Sequence, residues 1–154
     1  MLRNLPFPKQ VTNASPQSRH HGQKLGALLS GKTPASIIED HCLFKEVVEE
    51  LWHELPTITS MAFFHAIPIY TAYHLRSIAE PELFEGGPAS FQLMEGCDSR
   101  LAGLADTHPD LFQLLSPSEI DELLVFTKTL EEASLSNLEP LIDILENIKE
   151  LRLT

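Results

Sequence analysis

Residues 55–75 contain no Asp, Glu, Lys or Arg, an uncharged run of 21 residues. A run of that length either crosses a bilayer, which takes about 20 apolar residues, or is covered by the rest of the protein. Its polarity decides between the two. Pro56, Thr57, Thr59, Ser60, His65, Pro68, Thr71 and His74 lie within it, and the flanking Glu54 and Arg76 provide no one-sided cluster of bases to orient a span. No membrane span is therefore expected. The run reads as the central helix of a bundle, with Pro68 kinking it or dividing it in two.

Helix signals surround this segment. Gln23 to Ser30 is a short amphipathic stretch closed by Gly31. Thr33-Pro34 is a strong start: a hydroxyl that accepts from backbone N–H groups, then a proline where its missing N–H costs nothing. From there Ile37, Phe44, Val48, Leu51, Trp52 and Leu55 recur at helical spacing, predicting one helix to Leu55 that Pro56 ends. Thr57 is placed to cap the next. A weaker helix is expected over 89–106, with Phe91, Met94, Leu101, Leu104 and Ala105 inward; Gly96 and Gly103 lower its propensity and suit a close helix approach. Leu111, Phe112, Leu114 and Leu115 follow in a turn that docks on the core. Ser116-Pro117-Ser118-Glu119 is a capping box. Its helix continues through Ile120, Leu123, Leu124, Phe126 and Leu130. Asn137 opens a last one with Leu141, Ile144, Leu145, Ile148 and Leu151 as its inner stripe. No segment alternates as a strand does. The expected fold is all-α, a compact bundle of roughly five to six helices around the apolar central one.

Charge divides the chain differently. The net charge is −11, yet the first acidic residue is Glu39. Arg3, Lys9, Arg19, Lys24 and Lys32 give residues 1–38 a charge of +5, and the remainder carries −16. Within the basic part, residues 1–22 have three prolines, polar neighbours and no hydrophobic period. They read as a flexible basic leader, mobile or loosely docked, ahead of a single acidic helical domain over 23–154. The leader lacks the apolar run of a secretory signal, so a cytoplasmic location, or export by a route without a conventional signal peptide, is expected. An acidic body repels phosphates, which excludes nucleic acid as its partner.

The catalytic inventory is nearly empty. There is no Gly-x-Ser-x-Gly elbow, and Glu85-Gly86-Gly87-Pro88 follows no strand and places an acid beside any bound phosphate. The adjacent His41 and Cys42 point about 100° apart on a helix and do not pair. Cys97 lies next to Asp98, which opposes thiolate formation. Histidines are the remaining resource. Glu50-Leu51-Trp52-His53 is a Glu-x-x-His, the spacing used by carboxylate-bridged di-metal bundles. If the helices flanking Pro56 form an antiparallel hairpin, Glu46 comes level with Ala66. Glu46, Glu50, His53 and His65 would then line one seam, a ligand set for a transition metal, although di-iron bundles need a second Glu-x-x-His that this chain lacks. The same register brings His41 near Tyr70, Tyr73 and His74, a cluster able to hold haem or to serve only as mutually satisfied buried polar groups.

The primary expectation is a non-enzymatic protein–protein interaction module with an acidic surface, an adaptor, chaperone or exported effector. It has a protein partner or a second copy of itself, and no cofactor. The alternative is a small metal- or tetrapyrrole-binding bundle that uses the Glu and His residues named above.

Overall fold

Thr33 starts a helix in the way its chemistry dictates. Its hydroxyl accepts from the Ser36 N–H at 3.2 Å, and its own N–H donates to the Ser36 hydroxyl at 3.1 Å. The computed structural model describes residues 2–9, 11, 19–55, 58–79, 87–133 and 137–153. Its elements are a 3-10 turn at Leu2–Asn4, helices α1 (Arg19–Leu29), α2 (Pro34–Glu39), α3 (His41–Glu54), α4 (Ser60–Ala79) and α5 (Gly87–Thr107), a 3-10 turn at Pro109–Leu114, and helices α6 (Pro117–Ala133) and α7 (Glu139–Leu153). No strand occurs among the described residues. The all-α bundle is therefore present, with one more α-helix among the described residues than expected.

The extra helix comes from a break at Asp40. Residues 33–55 were expected to form one helix. Asp40 instead takes an extended conformation, φ −98° and ψ 102°, and its carboxylate accepts from the Leu43 N–H at 3.2 Å. An Asp side chain competes well for the N–H groups of a helix start, so the chain stops and restarts without losing its apolar period. The two pieces then go different ways. α2 packs on α4, whereas α3 packs chiefly on α1 and only lightly on α4. Gly31, at φ +70°, closes α1 in the left-handed conformation that suits glycine.

α4 is the central helix. It touches α2, α3, α5, α6 and the first 3-10 turn. Phe63, Phe64, Ile69 and Tyr70 are fully covered, and Ala62, Ala66, Ile67 and Tyr73 are buried with them. Each large apolar side chain contributes about 1.5–3 kcal/mol by leaving water. This cover explains a helix that is apolar nearly all round. Pro68 does not divide it: α4 is continuous from Ser60 to Ala79, and the Thr71 hydroxyl donates to the Pro68 carbonyl at 3.1 Å. Thr59 caps this helix by accepting from the Ala62 N–H at 3.2 Å, while Thr57 lies outside the described residues. No described helix is long and apolar enough to cross a membrane.

Aromatic contacts knit the layers. Phe64 meets Phe112 edge-on, with centroids 5.8 Å apart, and His74 packs against Phe126 of α6 at 5.2 Å. The inner faces of α6 and α7 bury Ile120, Leu123, Leu124, Phe126, Leu130, Leu141, Leu145 and Ile148 as their spacing predicts. Leu151, expected inside, is exposed, as is Leu114. The side chains of Trp52, Phe91 and Met94 lie outside those described.

α5 approaches the α3–α4 corner through Gly96. A Cβ at Gly96 would collide with the Leu55 side chain, whereas one at Gly103 would meet nothing. Only the first glycine permits close packing. Arg100, one turn further on, reaches the same corner. Its guanidinium donates to the carbonyls of Leu55 (3.4 Å) and Ile58 (2.6 Å) and lies 5.3 Å from the Phe63 ring centre.

The described part of the leader is docked. Leu2, Phe7 and Val11 are buried in the core, and the first 3-10 turn packs on α2 and α4. Residues 12–18 lie outside the described residues.

Candidate functional site

The Glu/His seam depends on α3 facing α4 in antiparallel register, and the break at Asp40 sends α3 toward α1 instead. Glu46 is exposed. Glu50 is buried and turned to α1, where one carboxylate oxygen lies 3.2 Å from the Lys24 ammonium. That hydrogen bond raises the Lys24 pKa. His65 is half-buried on α4 against the rings of Phe7 and Phe64, each at 6.1 Å. Burial lowers its pKa. The side chain of His53 lies outside those described. Among the described residues no three His, Cys, Asp or Glu side chains converge as a metal site would require.

The His/Tyr cluster is likewise spread out. His41 is exposed at the start of α3, and Tyr73 packs on Phe44 at 6.5 Å. Tyr70 is covered by Phe63 at 5.5 Å, and His74 by Phe126. Burial pushes the Tyr70 phenol well up and the His74 imidazole down. Cys97 is fully buried, and burial, then Asp98, pushes its thiol far up, which opposes thiolate formation. Cys42 is exposed and unbridged.

What the structure does assemble is a seat for residues 2–9 and 11. Glu119 is its centre. As part of the α6 capping box it accepts from the Ser116 N–H at 2.7 Å, while its own N–H donates to the Ser116 hydroxyl at 3.3 Å. The same carboxylate, on a residue only 5% exposed, accepts from the N–H groups of Leu2 (3.2 Å) and Arg3 (2.9 Å). The Arg3 guanidinium pairs with Glu122, one turn along α6. Further on, the Phe7 N–H donates to the Lys32 carbonyl at 3.2 Å, and the Thr59 N–H donates to the Val11 carbonyl at 2.9 Å. The capping box was legible in the sequence. Its second use was not, since nothing local links Glu119 to Leu2.

Burial of Leu2, Phe7 and Val11 gives about 1.5–3 kcal/mol each, and the polar ties at Glu119 and Glu122 add to it.

A second feature lies on α7. Glu139, Asp143, Glu146 and Glu150 are all exposed and follow one another at four, three and four residues, which puts them on one face. Among the described residues, Glu146 lies 3.5 Å from the exposed Lys128, and Lys149 turns to Asp121 of α6 at 2.8 Å. Leu114, Leu151 and Leu153 are 48%, 62% and 82% exposed. Arg152 holds that end together by donating to the carbonyls of Gln113 and Leu115, both at 2.7 Å.

Fold and surface together define the class: an all-α helical bundle with a stripe of exposed carboxylates on its last helix. No family model, curated protein or solved structure matches this chain.

Proposed function

We propose that this protein is a non-enzymatic interaction module whose acidic face binds a basic protein surface. One observation carries the reading: Glu139, Asp143, Glu146 and Glu150 form an exposed carboxylate stripe along α7. Carboxylates facing water repel one another and gain from a cationic partner. A partner with a basic surface answers this. An adaptor or chaperone role follows from such a surface, and an exported effector would use it equally.

The test is a paired capture from the native cell, using the wild-type chain and an Asp143→Lys/Glu146→Lys variant. The expected result is a basic protein retained by the first and lost by the second, with the binary complex re-formed from purified components and weakened by salt. Equal recovery by both chains overturns the reading.

A further inference from the structure

We infer that the seat of residues 2–9 and 11 is a peptide-binding site, and that this segment of the chain is its built-in occupant. From another chain it would accept a segment with an apolar residue, then Arg, then an aromatic residue four positions later. This rests on the interaction-module reading and adds to it a second surface, with its own ligand chemistry and its own gate.

The seat recognises main chain at three places. Glu119 accepts two successive N–H groups, the Lys32 carbonyl accepts a third, and the Thr59 N–H binds a carbonyl. None of these depends on which side chains the occupant carries, so any segment of the right shape satisfies them, as in other sites that bind peptide through its backbone. Side chains add selectivity. Leu2 is completely enclosed, Phe7 lies on His65, and Arg3 meets Glu122. Emptying the seat would leave Glu119 and Glu122 without Arg3 and would uncover apolar surface. A basic, apolar replacement restores both, and an acidic one does not. The occupant is far from its seat along the chain, 117 residues at the Leu2–Glu119 bond, so its hold is tertiary and open to competition.

A competitor binds only the fraction of molecules whose own segment has left, so its apparent affinity is scaled by that fraction. The probe is a peptide of residues 1–11 with a dye at its C-terminus, and its polarisation is read on the full chain. Arg3→Glu turns an ion pair into a repulsion and should open the seat, raising probe affinity by about tenfold or more over wild type. Adding Glu122→Lys should return it to the wild-type level or below. Equal affinity for the wild-type and Arg3→Glu chains, or no binding to either, overturns the proposal.

Should Arg3→Glu lose helicity, the same probe is read on a full chain cut at a protease site inserted after Asn13. Exchange of the cut segment for labelled probe is the expected result, and failure to exchange overturns the proposal. The two readings fail separately, because probe exchange reports on the seat alone and the capture comparison on the α7 stripe alone.

Discussion

The Glu119 carboxylate accepts the Leu2 N–H at 3.2 Å across 117 residues of sequence, while also accepting from Ser116 at the start of its own helix. One side chain thus caps a helix and ties down a distant segment. Glu119→Ala should remove both functions and cost about 3 kcal/mol, as expected for stranding several buried N–H groups. Glu119→Gln keeps one acceptor oxygen and should cost less. Urea titration followed by circular dichroism distinguishes them; a loss below about 1 kcal/mol for Glu119→Ala would show that water replaces the carboxylate.

The two glycines of α5 should answer in opposite directions. At Gly103 an added Cβ meets nothing, so Gly103→Ala should stabilise by roughly 0.5–1 kcal/mol through helix propensity. At Gly96 it strikes Leu55, so Gly96→Ala should destabilise by about 1–2 kcal/mol. In a Leu55→Ala background the same change should become neutral or favourable. A double-mutant cycle measures this coupling, and additive effects would exclude the contact.

Arg100 should matter for stability through the carbonyls of Leu55 and Ile58 and the face of Phe63. Arg100→Ala should cost about 2–3 kcal/mol, since charged donors to carbonyls and a cation over a ring both exceed ordinary hydrogen bonds. Arg100→Lys keeps the charge but not the two-pronged reach, and should recover only part of the loss. Thermal unfolding checks the order: wild type, then Lys, then Ala.

Acidification should weaken the fold through two imidazoles. Burial lowers the pKa of both His65 and His74, so the unfolded chain binds protons first as pH falls. Their contribution is intact above the ordinary imidazole pKa and is lost as pH drops through the lowered folded values. A His65→Gln/His74→Gln variant should show a flatter stability curve between about pH 7 and pH 5 than wild type. Parallel curves would mean that neither ring resists protonation in the folded protein.

Much of this molecule is written locally. Hydroxyl–proline pairs at Thr33-Pro34 and Ser116-Pro117 mark helix starts because the N–H groups they serve lie within three residues. The apolar stripes of α6 and α7 follow helical spacing, and the uncharged run over 55–75 announces a helix that others must cover. Asp40 was missed as a break because an unbroken apolar period across it looks the same whether the helix continues or restarts.

The seat could not be found in this way. Leu2, Arg3 and Phe7 sit in a proline-containing stretch with no period, and Glu119 already had a sufficient local role as a cap. Among the described residues Glu46, Glu50 and His65 do not converge, and the His53 side chain of the same expected seam lies outside them; helical spacing states which residues share a face, but not which helix that face meets. Sequence determined the helices, their caps and the sign of the charge, since those depend on neighbours a few bonds apart. The tertiary structure alone decided that α3 turns to α1 and that a basic, apolar segment lies against Glu119, since both depend on which buried surfaces remain to be paired once the helices exist.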